Sequence, residues 1–400
     1  MNSAAQRLSL ALLVAVAATG PLALNIFMPA MPEVARSFGA PYGQVQLTLS
    51  VFFIGLAVGQ VVYGPLSDQF GRRPIMIIGL AMYVAASLLC MLASTVELLI
   101  VGRAAQGFAG CAGIVLSRAI IGDVAGREKS ASLIAYVTMA MVVVPMLAPS
   151  VGGFISDYFD WHTIFVLVLG YGVIALVWVV FGLRETNHQR TSVGPRGLLA
   201  NYARLSGNGE FRAYAAIGAF GTAGFFGFLG GAPYVIIEIM GRTPFEYGLF
   251  FFLPALCYIA GNFVSARLAT KLGIDRLILI GSTITAIGAA IMLAAGLAGM
   301  LSAWAVFLPM MACAFGNGLT IATSAAGAIS AIPTIGGTAS GYAGFLQMGL
   351  GAFASWVTGS LVSTSQVPIA AVMLIVATCA ALIAIARWRD VGTPRPAAAA

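Results

Sequence analysis

Gly64-Pro-Leu-Ser-Asp68-Gln-Phe-Gly71-Arg72-Arg73-Pro74-Ile75 separates two stretches, 44–66 and 75–95, that are almost wholly apolar. Three charges and two glycines in so short an interval leave room for a tight turn and little else. Glycine permits the backbone angles that such a turn needs. Far downstream, Ala266-Arg-Leu-Ala-Thr-Lys-Leu-Gly273-Ile-Asp-Arg-Leu277 separates 245–267 from 275–297, and Gly273 falls where Gly71 falls. The chain therefore carries a faint internal repeat.

Outward from these two turns the apolar pattern fills nearly all of the 400 residues, 60% of which are hydrophobic and 8% charged. Soluble domains carry about 25% charged residues. About 20 apolar residues at ~1.5 Å rise span a ~30 Å hydrocarbon core. Twelve such segments are predicted, at 8–31, 44–66, 75–95, 97–121, 131–155, 161–183, 211–237, 245–267, 275–297, 302–326, 338–362 and 367–388. The expected fold is an all-α membrane protein of twelve transmembrane helices in two pseudo-symmetric six-helix bundles. The boundaries expected are 1–183 for the first bundle, 184–210 for a polar cytoplasmic linker along the membrane surface, and 211–400 for the second bundle with a short tail. Two parallel six-helix halves suggest a transporter that rocks about a midplane site.

Charge sets orientation. Arg7, Arg72, Arg73, Arg127, Lys129, Arg184, Arg190, Arg196, Arg204, Arg212, Arg267, Lys271, Arg276, Arg387, Arg389 and Arg395 all fall on one side of this topology. Arg36 and Arg242 alone fall on the other, with Arg103 and Arg118 inside spans. Such asymmetry places both termini in the cytoplasm, which only an even helix number allows. The net charge of +7 is this topology signal and points to no nucleic-acid partner. The first apolar stretch could be a signal peptide with Ala15-Val16-Ala17 at its cleavage site, but it continues to Met31 and is long enough to span. It is expected to be retained.

Catalytic machinery is hard to assemble from this composition. His162 and His188 are the only histidines, and Lys129 and Lys271, the only lysines, do not follow glycine as a phosphate loop requires. Cys90, Cys111, Cys257, Cys313 and Cys379 all lie in apolar stretches without a CxxC pair, so no metal site, cofactor or disulfide framework is indicated. Gly55 and Gly59 form a small-xxx-small pair of the kind that lets membrane helices approach. A sensor or scaffold built on a transporter frame is the alternative class, and absence of flux in proteoliposomes would mark it.

The turn at Gly64–Pro74 resembles the signature loop of the major facilitator superfamily. Arg103-Ala-Ala-Gln106-Gly107 resembles its fourth-helix motif, and Pro145-Met-Leu-Ala-Pro149-Ser-Val-Gly152-Gly153 the fifth-helix motif of its drug-exporting members. Met28-Pro-Ala-Met-Pro32, Leu183-Arg-Glu-Thr186 and Pro233-Tyr-Val-Ile-Ile-Glu238 resemble the bicyclomycin/chloramphenicol-resistance (Bcr/CflA) branch. The resemblance implies a multidrug efflux transporter of the bacterial inner membrane, acting as a monomer by alternating access and exchanging a drug-like small molecule for protons.

The resemblance also assigns roles. Gly64, Asp68, Gly71, Arg72, Arg73 and Asp123 would form a conformational latch, with Arg72 paired to Asp123 and Asp68 facing the N-terminus of helix eleven. Plain topology, two arginines holding a turn inside, explains the same residues. Pro145, Pro149, Gly152 and Gly153 would pack the fifth helix against the other half and limit leak. Superfamily geometry turns helices one, four, seven and ten to the centre, so Asn25, Phe27, Arg103, Gln106, Phe225, Phe226, Phe228, Tyr234, Asn317, Thr320 and Ser324 are candidate cavity residues. Gln46, Asn262 and Gln347 are secondary. Aromatic rings with a few amides suit a partly apolar, drug-sized ligand.

Arg103 lies about six residues into its helix, where a charge facing lipid would cost ~2.5 kcal/mol or more. It is expected to face a polar interior, with a snorkelling anchor as the alternative. Arg118 lies nearer the inner end, where snorkelling explains it. Asn25 is a departure, since the drug-exporting branch often has an acid there. No Asp or Glu lies at the middle of any predicted helix, and a buried carboxylate is the usual proton carrier. That absence favours a second reading, an exporter or facilitator of a small cellular metabolite without tight proton coupling.

Overall fold

A computed structural model of the chain describes residues 3–187 and 195–392. Side chains at 3–9, 125–136, 138–142, 195–196, 270, 333 and 390–392 lie outside that description, as do His188, Arg190 and Arg395 altogether. Apart from short connections the described chain is helical. Ten helical stretches of described residues are long and apolar enough to cross a membrane. The other two of the twelve spans are the second arm of a long helix, partly outside the described side chains, and a glycine-rich helix, Gly336–Leu361.

The first span is longer and more broken than the sequence suggests. It runs as α1 (Ser3–Ala17), α2 (Thr19–Phe27), a 3-10 turn (Met28–Ala30) and α3 (Met31–Phe38). Pro29 and Pro32 sit in the first turn of the last two pieces, where the missing N–H of proline is tolerated. Gly39, at φ 60°, ends α3. The span thus carries Glu33 and Arg36 inside its final turns rather than in a loop.

The two repeat turns are tighter than loops. α4 (Tyr42–Phe70) and α5 (Arg72–Met91) meet at Gly71 alone, at φ 104°. Asp68 therefore belongs to the last turn of α4, and Arg72 is the first residue of α5. In the second half α10 (Pro244–Leu272) and α11 (Ile274–Leu297) meet at Gly273 alone, at φ 78°. Side-chain-bearing residues rarely adopt such angles, so glycine is what lets two long helices share a one-residue corner.

α6 (Val96–Tyr158) joins the fourth and fifth spans into 63 residues of unbroken helix, where the sequence suggests two helices with a loop. Gly122-Asp-Val-Ala-Gly-Arg-Glu-Lys129 contains no proline to interrupt it. A straight helix of that length would measure about 95 Å. Instead both ends reach one face of the molecule: Glu97 accepts from Gln44 at the start of α4, and Asp157 accepts from the backbone of Phe245 at the start of α10. The run accordingly doubles back between two arms.

α7 (His162–Gly182) completes the first set of helices. α8 (Pro195–Gly207), within the stretch read as a polar linker, is a helix that packs on α9 (Gly209–Pro233) and α13 (Gly336–Leu361). α12 (Ala303–Ser330) and α14 (Val367–Gly392) complete the second set. The pair Gly55 and Gly59 lies on the α4–α6 seam. A Cβ on Gly55 would come 2.5 Å from Ala104 O, and one on Gly59 2.6 Å from the Cys111 Cβ. The two sets meet chiefly where α4 packs on α13 and the second arm of α6 packs on α10. Below, the face carrying Arg72, Arg73 and Arg387 is the basic face.

Candidate functional site

A cavity of about 310 Å³ lies between the two sets of helices. Phe225, Phe226 and Thr222 of α9, Phe251 and Tyr258 of α10, Asn317 of α12 and Gln347 and Met348 of α13 line it from the second set. The first set contributes Arg118 and Pro145, one from each arm of α6. Of the residues expected at a cavity wall, the structure brings Phe225, Phe226 and Asn317 here, with Gln347 from the secondary group. Arg118, expected to snorkel, is exposed into the cavity instead.

Arg103 and its neighbours form a separate nest inside the first set. Arg103 is fully buried, its guanidinium 4.8 Å from the Phe27 ring centroid and 4.4 Å from that of Phe52. Its Nη1 donates to Ala23 O at 3.0 Å and to Gln106 Oε1 at 2.6 Å. Gln106 donates onward to Ser87 Oγ at 2.8 Å, and Tyr83 OH donates to Thr19 O at 3.0 Å. The nest ties α2, α5 and α6 together. Arg103 Nε and Nη2 have no acceptor, and no carboxylate pairs with Arg103 among the described residues. Asn25, also buried, donates to Pro21 O at 2.8 Å within its own helix. Asn25, Phe27, Arg103 and Gln106 thus do not line the cavity. Their helix faces point into their own bundle, which is as apolar as the cavity wall. Phe228, Thr320 and Ser324 are likewise buried among helices of the second set.

Tyr234 lies on a π-helical turn, Tyr234–Ile239, and packs against Tyr42 with ring centroids 4.7 Å apart. It belongs to a seal between the sets on the face opposite the basic one. There Arg36 pairs with Glu238. Tyr42 OH donates to Gly230 O at 3.3 Å, Gln46 Nε2 to Ser355 Oγ at 2.8 Å, and Ser50 Oγ to Ala352 O at 3.2 Å. Phe53 stacks on Phe226 at 3.9 Å, closing the cavity from that side. Gly152 packs on the Ile26 backbone, whereas Gly153 packs on Pro244 and Phe245 of α10, so the glycine pair faces one neighbour from each set. Gly248 lies against the Pro149–Ser150 backbone from the other side of that seam. These bonds between α1–α7 and α9–α14, together with that of Asp157 with the Phe245 N–H, all lie in this seal.

At the basic face the Gly71 corner is bound internally. Arg72 contacts Asp68 Oδ1 at 2.5 Å through Nη1 and Asp123 Oδ2 at 3.0 Å through Nε. No bond from Asp68 to the N-terminus of α13 occurs among the described residues, whereas Gln60, two turns earlier on α4, packs against Gly341 and Gly344. Gly64 lies in open space on α4, with its carbonyl accepting from Ser67. Glu185, given no role by sequence reasoning, caps α5. It accepts from the N–H of Arg72 at 2.9 Å, of Arg73 at 3.1 Å, of Thr186 at 3.0 Å and of Asn187 at 2.9 Å. The first N–H groups of a helix otherwise lack partners. A signal existed: Leu183-Arg-Glu-Thr186 was one of the conspicuous stretches.

Burial works against the charged Glu185, but those four backbone donors outweigh it and hold its carboxyl below the usual range. A folded-state pKa depressed in this way contributes stability above the unfolded value of about 4.3 and loses it as pH falls through the folded value. Glu185→Gln should therefore lower the melting temperature at pH 7. The gap to the parent should shrink as pH falls below about 4, as a melting series across pH would read directly.

The second half repeats this corner with charges exchanged. Arg387, near the end of α14, donates to Asp275 Oδ1 at 2.9 Å, to Glu210 Oε1 at 2.9 Å and to Tyr214 OH at 2.8 Å. Asp275 follows Gly273 as Arg73 follows Gly71, and Arg387 comes from the last helix of its half as Glu185 comes from just beyond the last helix of the first.

Comparison with known proteins agrees with this architecture. The Major Facilitator Superfamily model matches residues 13–356. A "Bicyclomycin resistance protein homolog" of Haemophilus influenzae is 28% identical, covering 88% of this chain and 88% of its own length. The MFS-type transporter YdgK of Bacillus subtilis is 31% identical, covering 94% of each chain. Multidrug resistance protein D of Escherichia coli is 27% identical, covering 96% of this chain and 95% of its own. Among solved structures, the xylose transporter XylE of E. coli superposes with a TM-score of 0.76 at 15% identity, covering 97% of this chain and 99% of its own, a likeness of fold. With two six-helix sets, glycine corners in register and a cavity between the halves, the chain belongs to the Major Facilitator Superfamily.

Proposed function

We propose that the chain is a monomeric, secondary active exporter of drug-sized small molecules in a bacterial inner membrane, working by alternating access with its basic face and both termini in the cytoplasm. The carrying observation is the position of the cavity. It lies between the two helix sets, and the polar clasps of the seal that joins them lie to one side of it. Breaking that seal and closing the basic face would expose the same cavity to the other side. A few kcal/mol shifts such an equilibrium substantially. The relatives' names support a drug-like cargo.

In this reading the Gly71 corner is a latch. On closure of the basic face, Asp68 comes to the positive N-terminus of α13, and Arg72 redistributes between Asp68 and Asp123. Proton exchange supplies the driving force. Glu33 is the carboxylate best placed for it: half-buried near the sealed end, it accepts from Trp161 N–H at 3.3 Å with one oxygen and has no partner for the other. A second reading, export without tight coupling, is favoured by the cavity wall, which holds no carboxylate among the described residues.

Proteoliposomes separate the two. With bicyclomycin and a panel of drug-like compounds, vesicles acidic inside should accumulate substrate at least fivefold over vesicles without a gradient, and a protonophore should remove the difference. Equal flux in both supports the uncoupled reading. No flux with any compound rejects both.

A further inference from the structure

Arg118 is the feature of the cavity that the family resemblance leaves without a role. It is the only charged residue among the described residues that line the cavity, and it is exposed. It makes no ion pair among the described residues, whereas Arg72 and Arg387, also in helices near the basic face, are each held by two carboxylates. Facing it across the space are Phe225, Phe226, Phe251 and Tyr258, with Asn317 and Gln347 as the neutral polar groups.

A guanidinium keeps its charge under all conditions met here and presents a planar fork that fits a carboxylate, sulfonate or phosphate with two hydrogen bonds. In a cavity whose wall is mostly apolar, its field is less screened than at an open surface. A cationic ligand in the same space would meet an uncompensated like charge, and like-charge juxtaposition rejects the wrong partner. Snorkelling would carry the head group into water at the membrane surface; here it lines the cavity together with the aromatic wall.

We propose that the cavity takes an amphipathic aromatic anion, with its acid group on Arg118 and its ring between the phenylalanines of α9 and α10. This assignment rests on the export reading above and narrows its cargo to anions. It is tested with three naphthalene probes of one size: naphthalene-2-sulfonate, the neutral naphthalene-2-sulfonamide and the cationic 2-naphthylmethylammonium. Binding to the full chain in lipid nanodiscs is measured by calorimetry, and flux is measured separately in proteoliposomes.

The sulfonate should bind at least tenfold more tightly than either of the others. Arg118→Gln should weaken the sulfonate at least tenfold and leave the sulfonamide within twofold. Arg118→Lys, which keeps the charge and loses the fork, should fall between. Binding of all three probes within threefold of one another, absence of sulfonate binding, or an Arg118→Gln protein that binds sulfonate as the parent does would each overturn the assignment. The comparison of probes on the parent protein needs no variant to fold. Sulfonate binding without flux supports the site and counts against export, whereas flux of neutral or cationic probes with binding indifferent to Arg118 does the reverse.

Discussion

Arg103→Met should give a protein that inserts, melts within a few degrees of the parent and transports at least 100-fold more slowly. Burying a charge costs several kcal/mol even after relaxation. Here no described carboxylate offsets it, and two of the guanidinium nitrogens lack acceptors. Two hydrogen bonds from a charged donor return about 1.5–3 kcal/mol each. The rings of Phe27 and Phe52 return roughly 2 kcal/mol more. Gain and cost nearly cancel, so a flexible apolar side chain of similar length replaces Arg103 with little net change in stability. In the proposed export cycle, a group that contributes so little to the fold acts on turnover instead. Through Ala23 O and Gln106 it grips α2, between the break at Ala18 and the prolines after Phe27. Because Arg103 does not line the cavity, ligand affinity at equilibrium should stay within threefold while turnover collapses. Flux in proteoliposomes beside calorimetric affinity separates the two, and wild-type flux in the variant would remove Arg103 from the cycle.

Gly248→Leu should hold the protein open on the face now sealed. A Cβ there would come 2.6 Å from Ser150 N and 2.7 Å from Pro149 O, both backbone atoms of the second arm of α6. Backbone cannot swing aside as a side chain can, so the α6–α10 seam has to part. Overpacking of this kind costs about 1–3 kcal/mol. That is enough to move a two-state ratio by roughly five- to 150-fold. Gln46, fully buried in the seal, serves as reporter. In a background with the five native cysteines replaced, Gln46→Cys should react with a membrane-impermeant thiol reagent at least tenfold faster when Gly248→Leu is present, and transport should fall. Unchanged labelling would mean that the seam does not control the seal.

Much of this was readable from residues alone, for definable reasons. Span number follows from the contrast between apolar stretches and charged turns, and Gly71 and Gly273 mark the repeat because only glycine turns such a corner. The broken first span and the continuous α6 were harder. Proline can start a helix as well as end one, as Pro29 and Pro32 do, while Asp123 to Lys129 reads as a loop by polarity yet contains nothing that stops a helix.

The site divided along similar lines. Phe225, Phe226 and Asn317 reach the cavity, whereas Asn25, Arg103 and Gln106 turn into their own bundle. Depth in the membrane is legible from position along a helix. Rotation is not, because the bundle core and the cavity wall are both apolar and give no contrast in composition. Arg118, on the same arm as Arg103 and deeper toward the basic face, was the one with access to the cavity, and only packing shows which of the two arginines faces it.

The charge-exchanged corners carry an energetic asymmetry. Arg72 and Arg387 each pair within their own half, so parting the halves on the basic side breaks none of these four ion pairs. Parting on the other side means giving up Arg36–Glu238 and the polar clasps of Tyr42, Gln46 and Ser50. With no ligand bound, the molecule should therefore rest open toward its arginine-rich face and wait there, and the work of each cycle falls on prying apart the far end.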